Sequence, residues 1–250
     1  MKRTSIIISM LCLALASRAQ VEPLIHTTWS QTSPYNDQCP DNMLAGCVAI
    51  AMAQVMNFHK YPQHGQGSNS YTWKGKKLTA NFGETYYRWD EMETDGEAVA
   101  ELVYHCGVSV WMDYSSSFSG SNEYYAKSAL VDFFGYDEDI KLMPRNKYTD
   151  EEWSDILRQQ LDEGLPMIYS SGGHTFVVDG YNSDGLFHAN MGFGYPGRYY
   201  TLDELGGKSN STAVINIRPT DSFIPSLIAF TPNGNTQIPL PLHHLLTEQL

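Results

Sequence analysis

Cys47 is the residue whose surroundings best suit nucleophilic chemistry. It follows Gly46 at the start of an almost wholly apolar segment, 44–59, which predicts a buried helix. A thiol at a helix N-terminus faces the positive end of the helix dipole, which stabilises the thiolate, and the glycine leaves room for a substrate backbone. The alternative is a buried structural cysteine, the commoner fate of a lone cysteine. We interpret Cys47 as a candidate catalytic nucleophile.

His174 is the candidate base for such a thiol. It follows two glycines and opens the predicted strand 175–179, which would hold its imidazole at a strand edge with small neighbours. Six other histidines lack this context, and we expect them to be satisfied surface residues: His59, His64, His105, His188, His243 and His244. A thiol and an imidazole together can carry out acyl transfer.

Four predicted helices precede a run of short predicted strands. The helices cover 44–59, 97–106 with Gly107 as its stop, 122–134, and a segment from Thr149 to Gly164 that opens with a Thr149/Glu152 capping box. The strands cover 167–170, 175–181, 186–190, 198–202 and 213–217. This order predicts an α+β fold, a helical lobe followed by a β lobe, rather than alternating α/β units.

Composition limits the function classes. The 250 residues fit one domain, or two lobes that share a cleft. The net charge of -12 gives no electrostatic footprint for a phosphate backbone, so nucleic acid is not an expected partner. Neither a His-Glu-x-x-His helix nor a Cys-x-x-Cys pair occurs, so we predict no metal site and no cofactor.

The two ends are expected to lie outside the catalytic domain. Lys2 and Arg3 followed by a short apolar stretch and the small residues of 17–19 predict a signal peptide, 1–19. We therefore expect a secreted or periplasmic bacterial protein with no membrane contact after cleavage. Removing Cys12 leaves three cysteines, an odd number, so at least one thiol is unpaired. The predicted domains are the signal peptide, a catalytic domain over 20–219, and a Pro-rich tail over 220–250.

Several segments, taken together, resemble the streptopain-like (C10) cysteine peptidases of the papain-like fold. The matching stretches are WSQTSPYN at 29–36, GCVAIAMAQ at 46–54 followed by KYP at 60–62, GVSVWMDY at 107–114, GGHTFVVDG at 172–180 and HANMGFG at 188–194. The resemblance implies a two-lobed papain-like fold, with an antiparallel β lobe and the active site in the cleft between the lobes. It also implies that Cys47 is the nucleophile and His174 the base.

The resemblance assigns further residues. Gln31 corresponds to the side-chain donor of the family's oxyanion hole, and Asn190 to the group that orients the catalytic histidine. The loop from Tyr114 to Ser121 corresponds to one that lines the substrate cleft, so Tyr114 and Ser119 are expected substrate contacts. At the positions of Met191 and Phe193 the family has tryptophan, one of which lies near the catalytic imidazole.

These observations predict a secreted cysteine endopeptidase with polypeptide substrates. Family members are made with a sizeable pro-domain, whereas only eleven residues separate the predicted cleavage site from Gln31. We therefore expect either activity directly after export or restraint by a separate protein inhibitor. Two alternatives remain open: a cysteine amidase or endopeptidase of cell-wall peptides, and a non-enzymatic binding protein on a decayed protease fold.

Overall fold

Five α-helices and eight strands make up the part of the chain that this computed structural model describes, residues 20–220. The predicted signal peptide, 1–19, and residues 221–250 of the predicted tail lie outside the described residues. The helices are α1 Cys47–His59, α2 Gly96–Ser109, α3 Glu123–Asp132, α4 Asp150–Asp162 and α5 Leu202–Leu205. The strands are β1 Asn69–Trp73, β2 Lys76–Ala80, β3 Lys141–Pro144, β4 Met167–Ser171, β5 His174–Tyr181, β6 Phe187–Asn190, β7 Arg198–Tyr200 and β8 Thr212–Ile215.

A six-stranded sheet in the order β3-β8-β4-β5-β6-β7 organises the molecule, and every neighbouring pair is antiparallel. Successive side chains alternate between its faces. Ile168, Val177 and Val214 face a core that they share with α1, α2 and α3. The residues on either side of them face a second core, which is built around Trp153, Leu157 and Leu161 of α4. The predicted α+β class is confirmed.

Helix α1 lies between the sheet and α2. Its first ten residues, 47–56, are all buried, as the apolar sequence predicts. A helix buried on all sides keeps its first residue in place, because sliding or rotating it would unpack both neighbours. Cys47 is therefore anchored by the core.

Helix α4 lies on the opposite face of the sheet from α1. Its predicted capping box is present, with the Thr149 hydroxyl accepting from the Glu152 N–H and the Glu152 carboxylate accepting from the Thr149 N–H. The sequence order had grouped this helix with the helical lobe, but its apolar stripe packs against the β-sheet. The helical lobe therefore consists of α1 to α3.

Two features of the first half differ from the predictions. The hairpin β1–β2 was missed, although Lys74 and Gly75 form a two-residue turn with both residues at positive φ, 45° and 80°. Helix α2 does not stop at Gly107 but continues to Ser109. Gly107 is needed there for space, because a Cβ would lie 2.2 Å from the Tyr114 hydroxyl oxygen.

Three of the histidines that were expected at the surface are not exposed. His105 and His188 are buried and His59 is half-buried, whereas His64 is exposed as expected. His188 pairs with Asp179, which lies where the β5–β6 register shifts, and their Nδ1 and Oδ1 atoms are 2.7 Å apart. His243 and His244 lie outside the described residues. Within residues 20–220, no helix combines the length and hydropathy needed to cross a membrane.

Candidate active site

A cleft of about 660 Å³ opens where the N-terminus of α1 meets the start of β5. Four of the predicted site residues border it: Gln31, Cys47, Ser119 and His174. The remaining lining residues are Ser30, Thr32, Leu44, Ser117, Phe118, Gly173, Phe193 and Gly194. None of these side chains carries a carboxylate, an ammonium or a guanidinium group, so the cleft contains no fixed charge.

Cys47 is the first residue of α1 and is 8% exposed, with its surface facing the cleft. Gly46, the residue before it, has φ +92°, and a Cβ there would lie 2.5 Å from the Met112 sulfur. Only glycine fits both demands without strain. Gly46 also provides no side-chain cap, so the positive end of the helix dipole acts directly on the Cys47 sulfur.

His174 opens β5, and its ring is oriented by the backbone. Its Nε2 lies 2.9 Å from the carbonyl oxygen of Met191. Because a carbonyl can only accept, Nε2 carries the proton of the neutral ring, and the Nδ1 lone pair is left available as a base. Burial lowers the pKa of His174 below its ordinary 6.5, while the bond to Met191 opposes this shift.

Phe193 covers the imidazole, and this role was not predicted. Its ring stacks on that of His174 with centroids 4.6 Å apart and 14° between planes, and 49% of the residue remains exposed. Gly192 and Gly194 on either side have φ of +69° and +85°, so the chain turns sharply and aims Phe193 back at the ring. Phe193 thus provides aromatic cover with a smaller ring than tryptophan. An aromatic residue between two glycines directly after a strand was the available signal.

Met191 contributes through its backbone. Its carbonyl accepts from His174, while its side chain is partly buried against the core around α4. At the first of the two positions where the family has tryptophan, the Met191 carbonyl orients the His174 ring. At the second, the Phe193 side chain covers that ring.

Gln31 reaches the cleft on an extended segment, residues 21–31, which we call the strap. The Gln31 carbonyl accepts from the N–H of Ala45, two residues before Cys47, at 3.0 Å. The Trp29 carbonyl accepts from the N–H of Gly194 at 3.1 Å. The strap is thus tied both to the segment that leads into α1 and to the turn that carries Phe193.

Asn190 does not bond to His174 directly among the described contacts. Its Nδ2 donates to the Thr27 carbonyl on the strap at 2.7 Å, and its Oδ1 accepts from the Gly192 N–H at 3.0 Å. The predicted orienting contact is therefore indirect: Asn190 shapes the turn whose Met191 carbonyl holds the ring.

Of the two residues expected to contact substrate, Tyr114 does not reach the cleft. It is fully buried, with its hydroxyl beside Gly107 and its ring against Trp73, so that expectation is wrong. Ser119 does border the cleft, but its hydroxyl accepts from the Ser115 N–H and donates to the Ser115 carbonyl. The Ser119 side chain therefore holds together the loop 115–119, which lines the cleft.

All three cysteines of the described chain are unpaired. Cys39 and Cys106 are buried away from the cleft, and burial raises the pKa of the Cys39 thiol to about 12 and that of Cys106 further. Neither forms a thiolate readily at neutral pH. Among the described residues, no three His, Cys, Asp or Glu side chains form a group that could bind a metal.

Comparisons with known proteins identify the family of the chain. The chain matches the family model of the Peptidase C10 family over residues 29–200. It is 30% identical to the thiol protease/hemagglutinin PrtT of Porphyromonas gingivalis and 27% identical to streptopain of Streptococcus pyogenes. The matches cover 80% and 76% of this chain but only 27% and 60% of those relatives, so the chain spans part of their length.

Solved structures extend the comparison to the fold. Active interpain A, a cysteine protease of Prevotella intermedia, superimposes with a TM-score of 0.72 at 35% identity, covering 78% of this chain and 94% of that one. A fragment of its precursor, prointerpain A, gives a TM-score of 0.74 at 35% identity, with 80% and 72% covered. The family match spans most of the described residues, including Gln31, Cys47 and His174. On the sequence match and the shared two-lobed papain-like fold of a cysteine-type peptidase, this chain belongs to the Peptidase C10 family.

Proposed function

We propose that this chain is a secreted cysteine endopeptidase that cleaves polypeptides through a Cys47–His174 dyad and a thioester intermediate. The observation that carries the proposal is that Cys47, His174 and Gln31 border one uncharged cleft. A thiol, a base and an amide donor around one cleft favour an enzyme over a non-enzymatic binding protein on a decayed protease fold. Secretion is proposed from the signal-peptide pattern of residues 1–19.

The first half of the proposed reaction forms the thioester. The Nδ1 atom of His174 takes the proton of the Cys47 thiol as the sulfur attacks the scissile carbonyl carbon. The negative charge that develops on the carbonyl oxygen is stabilised by the Gln31 side-chain amide and the Cys47 N–H. The imidazolium then protonates the leaving amine as the C–N bond breaks.

The second half releases the acid product. His174, now neutral again, takes a proton from water, and the hydroxide attacks the thioester carbonyl under the same two donors. The carbon–sulfur bond breaks, and the imidazolium returns its proton to the Cys47 sulfur. No metal or organic cofactor takes part in this scheme, and the thiol must remain reduced.

Casein hydrolysis under reducing conditions tests the proposal. Cys47→Ala and His174→Ala should each lose nearly all activity, because the two groups act as a unit. Cys39→Ala is the matched control, since it removes a buried thiol that does not border the cleft, and it should retain activity. Purified peptidoglycan is assayed in parallel. Casein cleavage by Cys47→Ala at the wild-type rate, or release of cell-wall peptides without casein cleavage, would contradict the proposal.

A further inference from the structure

A row of exposed side chains leads away from the cleft on the His174 side. Phe193 stacks on His174, and the ring centroid of Tyr195 lies 6.2 Å from that of Phe193. The guanidinium carbon of Arg198 lies 5.7 Å from the Tyr195 centroid, a cation–π distance. Tyr195 is 41% exposed, and Arg198 is exposed as well. We call Phe193, Tyr195 and Arg198 the aromatic–arginine row.

The base of this row is fixed by close packing. Arg198 opens β7, which pairs with β6 at Ala189. A Cβ on Gly197, the preceding residue, would lie 2.6 Å from the Ala189 carbonyl and 2.4 Å from the His188 ring. Arg198, the last residue of the row, therefore lies at the start of β7, which packs closely against β6.

Arg198 has no carboxylate partner within ion-pair distance among residues 20–220. By contrast, Arg88, Arg145, Arg158 and Arg218 each have at least one. The cleft itself contains no charged side chain. An exposed guanidinium that is held against a ring and has no internal partner is available to a carboxylate on a ligand.

The direction of the row indicates which part of a substrate would meet it. In the proposed reaction His174 protonates the leaving amine, so the chain that follows the scissile bond departs past His174 and Phe193. We propose that the aromatic–arginine row binds the leaving-group side of the substrate, and that Arg198 selects an acidic side chain there. This inference rests on the proposed peptidase function.

The spacing limits where the acidic residue falls. An extended peptide advances about 3.3 Å per residue. The steps of 4.6 Å from His174 to Phe193, 6.2 Å to Tyr195 and 5.7 Å to Arg198 therefore place the guanidinium within about five residues of the imidazole. An exposed ion pair of this kind is worth up to about 1 kcal/mol, which corresponds to a preference of up to about fivefold.

Matched fluorogenic peptides test the inference. All share one sequence before the scissile bond and a C-terminal amide, and each has Glu, Gln or Lys at one of the second to fifth positions after it. For wild type we expect kcat/KM to be about threefold to fivefold higher with Glu than with Gln at one of these positions, and lowest with Lys. Raising the salt concentration should reduce this preference.

Variants separate selection by Arg198 from general charge effects. Arg198→Gln should bring the Glu-to-Gln ratio to about one, and Arg198→Glu should favour Lys over Glu. Arg158→Gln is the matched control, because Arg158 also lies over a tyrosine ring, that of Tyr181 at 5.8 Å, but does not belong to the aromatic–arginine row. It should keep the wild-type ratio.

The outcomes for the inference and for the proposed function are distinguishable. Equal cleavage of the Glu, Gln and Lys peptides at every position would overturn the inference and leave the peptidase function intact. A preference for the Glu peptides that persists in Arg198→Glu would also overturn the inference and leave the peptidase function intact. Failure of wild type to cleave any of the peptides or casein would instead contradict the proposed function.

Discussion

At the scale of single residues, the two ring nitrogens of His174 have different roles. Nε2 donates its proton to the Met191 carbonyl, so Nδ1 is the nitrogen that exchanges protons in the proposed mechanism. Phe193 covers one face of the His174 ring. The Phe176 ring is roughly parallel to the His174 ring, and the two ring centroids are 6.0 Å apart. Partial removal from water favours the uncharged imidazole, the form that accepts a proton from a thiol.

The stacking of Phe193 predicts a specific pH effect. In the proposed mechanism the base is the uncharged imidazole of His174, and protonating that ring at low pH stops the reaction. The acid limb of kcat/KM for wild type should therefore lie below about 6.5. Phe193→Ala lets water reach the ring, raises the pKa of His174 and moves the acid limb to higher pH. Phe193→Trp keeps the cover and should keep the limb. An unchanged acid limb in Phe193→Ala would show that the ring does not control the ionisation of His174.

Gln31 should affect the rate more than substrate affinity. Its amide is proposed to donate to the oxyanion, which exists only near the transition state. Gln31→Ala is expected to lower kcat by about 10² to 10³ with a smaller change in KM. Gln31→Glu, nearly identical in shape but unable to donate when ionised, should be as impaired. Steady-state kinetics on one peptide decide this, and a rise in KM alone would assign Gln31 to ground-state binding.

At the scale of elements, the site is held where the strap meets the β5–β6 hairpin. Asp179 on β5 accepts from the Ile25 N–H at 2.8 Å, and Asn190 on β6 donates to the Thr27 carbonyl. The Thr27 hydroxyl donates to Gln54 on α1 at 2.6 Å. The hairpin that carries His174 therefore also sets the position of the strap that carries Gln31.

Asn190→Ala is expected to disturb this junction. It removes the bonds to Thr27 and Gly192, so the Met191 carbonyl and the strap shift relative to Cys47. We expect kcat to fall by about tenfold to a hundredfold and the free energy of unfolding to fall by about 1–3 kcal/mol.

Asn182→Ala provides the control for this prediction. The Asn182 side chain accepts from the N–H groups of Asp184 and Leu186 at the other end of the same hairpin. It should lower stability while leaving kcat close to wild type. An equal loss of kcat in both variants would mean that general loosening of the hairpin, rather than the junction, explains the effect.

The elements differ in how well the sequence predicts them. Helices α1 and α4 follow from an all-apolar segment and a capping box, which are local signals. The place of α4 on the far face of the sheet, the burial of Tyr114 and the cover by Phe193 depend on contacts between residues far apart in sequence. Gln31 and Asn190 were assigned by resemblance, because neither residue has a local pattern that distinguishes it from an ordinary loop amide.

At the scale of the whole molecule, the described fold is two cores on opposite faces of one sheet. The core shared with α1 to α3 also holds titratable groups, and the buried His105 is one of them. Its Nδ1 lies 2.9 Å from the Tyr87 hydroxyl, and the Phe82 ring packs edge-on at 5.5 Å. Burial lowers the pKa of His105 to about 4, and that of His59 also to about 4.

This burial predicts that the fold loses stability in mild acid. Between pH 6.5 and about 4 the unfolded chain binds a proton at His105 that the folded chain does not, so stability falls as the pH falls through this range. The loss is up to about 3 kcal/mol per histidine. Urea unfolding at pH 7, 5.5 and 4.5 in a Cys47→Ala background, which cannot digest itself, measures it. His105→Gln should be less stable at pH 7 but lose less stability on acidification; an unchanged pH dependence would contradict this.

The central claim is that Cys47, alone among the three cysteines of residues 20–220, is activated for attack at the cleft by His174. Reaction of the folded, reduced protein with an epoxysuccinyl peptide, followed by mass spectrometry of the digest, tests it most directly, because a thiolate opens the epoxide to form a stable thioether. We predict one adduct, on Cys47, formed in step with loss of activity, much slower labelling in His174→Ala, and no adduct on Cys39 or Cys106. An adduct on either buried cysteine in the folded protein, or an active preparation that is fully inhibited with Cys47 unmodified, would contradict the account.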